Sequence, residues 1–164
     1  MASQRTDLPR IAAVEAMPPS TLVVHWSDGA QARIDLAGWI ATGDALLAPL
    51  RDPTLFATAR IGLYGGSVDW GEDDGDLAID AHHLGLIAAE QQPFGPAEAA
   101  AWQGEIGLSN HEAADFLGLS LSTWTAYKAG AAIPAPVAMV CRAARRDPIL
   151  LQAHLRLARP QPAP

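Results

Sequence analysis

The stretch Ser109-Asn-His-Glu-Ala-Ala-Asp-Phe-Leu-Gly-Leu-Ser-Leu-Ser-Thr-Trp-Thr-Ala-Tyr-Lys-Ala-Gly130 decides the reading of the C-terminal half. Ser109 and Glu112 stand at the two ends of an S-x-x-E capping box, which predicts a helix start. Ala113, Ala114 and Leu117 fall on one face of that helix, with Phe116 at its margin. Gly118 supplies a residue able to turn at positive φ where the helix stops. Leu119 plugs the corner, and the Ser120 hydroxyl can cap a second helix. Thr123, Trp124 and Tyr127 then share a face at i, i+1 and i+4, and Gly130 closes the segment. The spacing is that of a helix-turn-helix, in which a small residue such as Ala114 permits close crossing.

Working outward, Pro96 to Ile106 is Ala-rich, opens on proline and carries Glu98 early, all favourable to a helix. Pro134 to Arg146 places Val137, Val140, Cys141 and Ala144 at i, i+3, i+4 and i+7, an amphipathic stripe. Asp147-Pro148 reads as cap and first residue of a last helix through Leu150, Leu151 and Leu155. Five helices then make an all-α domain. Upstream, Gln91 to Pro96 holds two prolines and a glycine, and is the natural boundary.

The first half follows different rules. Arg10–Ala16 and Thr21–Trp26 are apolar stretches separated by Pro18-Pro19, and Ser27-Asp28-Gly29 predicts a hairpin turn into an alternating Gln31–Asp35. Leu36 to Ala41 reads as a helix capped by Asp35. Phe56–Leu63 and Ser67–Trp70 suggest a second hairpin around Tyr64-Gly65-Gly66, and Asp76 to Ala89 a closing helix. Strands and helices mix without βαβ alternation, so the expected class is an α+β domain over 1–91, followed by an all-α domain over 96–158.

Charge divides the chain along the same line. Residues 1–95 carry five Arg and no Lys against thirteen acids (−8), and residues 96–164 carry six basic groups against five acids (+1), giving the net −7. Among the basic groups, Arg142, Arg145, Arg146, Arg156 and Arg159 crowd the last two helices. Phosphate neutralisation dominates non-specific DNA affinity, so so small a basic excess predicts modest electrostatic binding. With 49% hydrophobic residues, a packed core is expected. No apolar run reaches membrane-span length and no secretory leader is read, which points to the cytoplasm. The single cysteine, Cys141, is expected to be a buried structural thiol.

The order Ala, Gly, apolar residue and Ser, then Thr, two aromatics, Gly and a nearby Pro resembles a lambda-repressor-like (Cro/C1-type) DNA-binding domain over about residues 96–158. Leu22-Val-Val-His-Trp-Ser-Asp-Gly, Ile34-Asp-Leu, Leu50-Arg-Asp-Pro-Thr-Leu-Phe, Val68-Asp-Trp and Asp76-Leu-Ala-Ile-Asp80 are similar to a small bacterial domain of unknown function. Members of that family carry a C-terminal lambda-repressor-like domain. The resemblance implies a DNA-binding transcriptional regulator, working as a homodimer on two half-sites. It implies groove-facing Leu121, Ser122, Thr125 and Ala126, with Ser120 beside them, Asn110 holding a phosphate and Lys128 reaching another. Hydroxyls meet base edges and Leu121 a thymine methyl, but no bidentate Arg, Gln or Asn is present, so sequence preference is expected to be weak or shared with DNA shape. The alternative is a protein–protein module, antitoxin-like, with a degenerate helix-turn-helix; the acidic first domain then senses, dimerises or binds the partner.

Chemistry elsewhere in the chain reads as bland. Asp69, Glu72, Asp73, Asp74, Asp76 and Asp80 cluster near His82 and His83, yet position six of the twelve-residue calcium pattern is Asp74 rather than glycine. A solvated acidic loop is the expectation. His111-Glu112-Ala-Ala-Asp115 misses the zinc-protease H-E-x-x-H at its last residue, and the capping box already accounts for Glu112. His25 alternates within a strand. No G-x-S-x-G, phosphate-binding glycine loop or Cys–His arrangement occurs, so no catalytic residue, cofactor or metal is expected.

Overall fold

Alternation in Thr21-Leu-Val-Val-His-Trp sends Leu22 and Val24 to one face, and both are fully buried. In the computed structural model, which describes residues 8–72 and 75–156, this stretch is β2 (Thr21–Trp26). It lies between β1 (Ile11–Met17) and β3 (Gln31–Asp35) in an antiparallel sheet. Leu22 stands opposite Ile34 and Val24 opposite Ala32, so one face of the sheet feeds a continuous core. Gly29, at φ +90°, turns the β2–β3 hairpin, and the Asp28 carboxylate accepts from Ala30 N–H at 2.9 Å.

Asp35 carries the chain from sheet to helix. Its carboxylate accepts from Ala37 N–H at 2.9 Å, opening α1 (Ala37–Thr42), and from Ser20 Oγ at 2.8 Å. These two donors, the Ala37 amide first, hold its pKa below the ordinary value. The backbone of Asp35 is gripped by the Gln91 amide, which accepts from its N–H at 2.9 Å and donates to its carbonyl at 2.8 Å. Gln91 thereby ties the end of the last helix of this unit to the edge of β3.

Between these anchors run α2 (Asp44–Leu47), a 3₁₀ turn over Ala48–Arg51, and α3 (Pro53–Phe56). A second antiparallel sheet follows, β4 (Arg60–Ile61), β5 (Ser67–Asp69) and β6 (Ala78–Asp80), and α4 (Ala81–Gln91) closes the unit. The expected second hairpin forms, but its first arm is only Arg60–Ile61. Phe56 belongs to a helical turn instead, because the Asp52 carboxylate caps Thr54 N–H and Pro53 fits the first helical position. The helix expected from Asp76 starts at Ala81. Ala78–Asp80 pairs with β5, which buries Ile79, and Asp80 then accepts from His83 N–H. Trp70 is buried against Phe56 and donates its indole N–H to the Phe56 carbonyl at 3.0 Å.

The described contacts divide the chain into Met1–Gln91 and Gln92–Pro164. The second unit is α5 (Pro96–Ile106), α6 (Asn110–Phe116), α7 (Leu121–Ala129), α8 (Ala135–Arg146) and α9 (Pro148–His154). Its core is two tryptophans set among small residues: Trp102 and Trp124, with Ala99, Ala113, Ala114, Cys141 and Ala144. Alanines let the helix backbones approach, and the indoles fill what remains. Trp102 stacks on Phe116 at 6.2 Å and meets Trp124 edge to face at 5.8 Å.

Two expectations for this unit change. Val140 is 40% exposed, whereas Val137, Cys141 and Ala144 do meet the core and Ala138 is buried in addition. Leu155 lies beyond α9 in extended backbone, at ψ 128°. Within the segment read as the natural boundary, Gln92 and Phe94 meet the second unit. Phe94 packs on its core, the Arg142 guanidinium sits 5.4 Å from the Phe94 ring centroid, and Arg142 donates to the Gln92 carbonyl. Asp73, Asp74, Arg159 and positions 157–158 of the expected second domain lie outside the described residues.

Candidate functional site

The capping box expected at the start of α6 is formed in both directions. Glu112 N–H donates to Ser109 Oγ at 3.2 Å, and Ser109 N–H donates to the Glu112 carboxylate at 2.8 Å. Bonding to Ser109, its backbone first and its hydroxyl second, holds the Glu112 pKa below the ordinary glutamate value. The same logic operates at α5, where the Gly95 N–H bonds Glu98 at 2.8 Å and lowers its pKa. With Glu112 engaged as a cap, the His111–Asp115 segment presents no zinc set. Among the described residues no three His, Cys, Asp or Glu side chains converge on a metal position.

Gly118 turns the chain at φ +68°, and the Leu119 N–H returns to the Ala114 carbonyl at 2.8 Å. Ser120 Oγ then accepts from Thr123 N–H at 3.1 Å, capping α7. A tight pair of helices results. Trp124 is fully buried, while Leu121, Ser122, Thr125 and Ala126 stay on the exposed side of α7. The arc expected to face a groove is therefore open to solvent; of the two residues expected in the core, Trp124 is buried and Tyr127 packs against the core partly buried.

The polar groups of that arc already have local partners. Ser120 Oγ lies 2.9 Å from Ser122 Oγ and 2.7 Å from Thr123 Oγ1. Thr125 Oγ1 donates to the backbone carbonyls of Leu121 or Ser122 one turn back. A hydroxyl that donates to a carbonyl keeps its lone pairs, so Thr125 can still accept from a base amino group. Its methyl, Leu121 and Ala126 add apolar surface.

Asn110 and Lys128, at the front of α6 and the end of α7, come together. Lys128 Nζ donates to Asn110 Oδ1 at 2.6 Å and to Gln103 Oε1 at 2.9 Å. The same Gln103 oxygen accepts the Trp124 indole N–H at 2.9 Å, while Gln103 Nε2 donates to the Leu108 carbonyl at 3.0 Å. Gln103 was invisible to sequence reasoning. It is a single amide in an Ala-rich helix, with no motif around it.

Two of the expected basic groups serve the unit itself. Arg145 pairs with Glu105 on α5 at 2.7 Å, and Arg142 holds Gln92 and Phe94. Both arginines flank Cys141 and pull its thiol pKa down, yet burial dominates and pushes it up to about 12. That thiol is an inert core group at neutral pH.

No protein-family model and no curated protein matches the chain. Among solved structures, it is similar to a candidate DNA-binding protein, NE0471 from Nitrosomonas europaea ATCC 19718, at 28% identity and TM-score 0.46. The match covers 94% of this chain and 96% of that one. No helix among the described residues is long and apolar enough to cross a membrane.

Proposed function

We propose that the chain is a cytoplasmic DNA-binding regulator whose second unit is a lambda-repressor-like helix-turn-helix domain, with α7 as the helix that enters the major groove. One observation carries this reading. α7 buries Trp124 completely while leaving Leu121, Ser122, Thr125 and Ala126 exposed on a rigidly capped helix, the arrangement that a reading helix requires. Ser120 frames the helix start, and Asn110 and Lys128 supply phosphate contact at its flank. The protein acts as a homodimer on two half-sites, and the acidic first unit serves dimerisation, sensing or partner binding. It is not an enzyme.

A second reading is favoured by a specific feature. The α7 hydroxyls are bonded locally, and Arg142 and Arg145 are engaged within the unit, so a protein partner on the same helix face suits the same geometry. Selection of bound fragments from a random duplex pool with the full chain, at low and physiological salt, separates the two. Enrichment of a shared sequence, abolished by Leu121→Glu in a chain that remains folded, supports DNA. Retention of DNA with the unselected pool composition limits the reading to non-specific binding, and retention of no duplex even at low salt overturns it.

A further inference from the structure

The sequence contains one lysine, Lys128, and its ammonium group is seated between two side-chain amide oxygens. One belongs to Asn110, which begins α6, and the other to Gln103 in the middle of α5. The Gln103 oxygen is shared with the buried Trp124 indole. Gln103 thus joins the core of α7 to its surface cation through a single atom.

From this geometry we infer that Gln103 is a positioning residue: it fixes the Lys128 ammonium against Asn110, so that the two present one phosphate-binding seat. The inference rests on the DNA reading above. An ammonium has three N–H donors. Two are given to Gln103 and Asn110, and the third has no acceptor among the described residues. Asn110 is exposed and accepts through its oxygen, which leaves its NH2 donors for a ligand. The seat therefore offers one positive charge and donors from two side chains at a place set by the core. Holding a long, flexible side chain in its bound pose beforehand removes an ordering cost that binding otherwise carries.

A purely structural glutamine would bond Trp124 and Leu108 and leave Lys128 to solvent. Gln103→Glu distinguishes the roles. It retains an acceptor for the Trp124 and Lys128 donors, gives up the Nε2 bond to the Leu108 carbonyl, and neutralises Lys128 as an ion pair, removing the charge from the seat. The measurement is the salt dependence of full-chain binding to an unselected mixed-sequence duplex. Gln103→Glu is expected to lower the slope by about one unit, as Lys128→Met does, with no further drop in the double variant. Should Gln103→Glu not fold, Gln103→Met serves. It keeps the charge and loses the acceptor, and is expected to weaken binding about three- to tenfold at unchanged slope. In parallel, the ammonium resonance of this single lysine should be protected from solvent exchange in the wild type and lost in Gln103→Met. Wild-type binding with an unaltered Gln103→Glu slope, or with undiminished Gln103→Met affinity, overturns the positioning role. A wild type that binds no duplex at low salt overturns the DNA reading itself.

Discussion

Trp124 and Gln103 are joined by a 2.9 Å hydrogen bond from the indole N–H to the amide oxygen, linking the one fully buried residue of α7 to α5. Its counterpart Trp102 is equally buried, but its indole N–H has no hydrogen-bond acceptor among the described residues. The two tryptophans touch edge to face and differ in whether the indole N–H is bonded. Their substitutions should differ accordingly.

Truncation of Trp124 to Ala is expected to cost about 3–5 kcal/mol, the range for emptying a large core site. The finer comparison is with Phe at each position. Trp124→Phe breaks a satisfied bond, whereas Trp102→Phe removes an unsatisfied donor whose burial costs about 1–3 kcal/mol. Chemical denaturation should therefore show Trp102→Phe to be the milder change. The opposite order would mean that the Trp102 N–H has a partner of consequence.

Two left-handed glycines are expected to behave unequally. A Cβ added to Gly118 meets nothing within 4 Å, so Gly118→Ala should cost only the backbone penalty of about 1–2 kcal/mol. At Gly65 a Cβ would stand 2.5 Å from the Ile11 carbonyl oxygen, in backbone that cannot simply rotate away. Gly65→Ala should destabilise its unit by clearly more. Equal thermal shifts for the two variants would contradict the close packing of that turn on β1.

The capping carboxylates set an acid limit on the second unit. Glu98 and Glu112 have folded-state pKa values below their ordinary 4.5. Their stabilisation is complete above 4.5 and is lost as pH falls through the lowered folded-state values. Thermal midpoints should fall on this acid side, and Glu112→Gln, which keeps an acceptor but cannot titrate, should flatten the fall. An identical acid profile in the Gln variant would remove Glu112 from the account.

Ser122 and Thr125 are exposed and bonded only within their own stretch of chain, so replacing both with Ala should leave stability nearly unchanged. Competition binding against base-substituted duplexes should then show narrowed discrimination between sequences. A uniform loss on every duplex would speak against base contact.

Local rules carry far in this chain. Ser109, Glu112, Gly118 and Ser120 each impose a short-range constraint, and α6, α7 and the turn between them follow from those constraints. The same holds for Leu22 and Val24, whose alternation alone fixes a buried face. Less legible are features decided by partners distant in sequence. Ala78–Asp80 is a strand only because β5 lies beside it, and Val140 is exposed because α8 meets the core through Val137, Cys141 and Ala144. The Lys128–Gln103 contact spans 25 residues, and no periodicity announces it. Asn110 and Lys128 were each legible as candidates, but their convergence required the fold.

The most direct test is an amide-resonance map of the ¹⁵N-labelled full chain titrated with duplex recovered from the random-pool selection, or with the mixed duplex if none is recovered. The account predicts saturable shifts confined to Asn110, the segment from Ser120 to Lys128, and Gln103. Shifts absent from α7 at saturation, or centred on the acidic first unit, would contradict it.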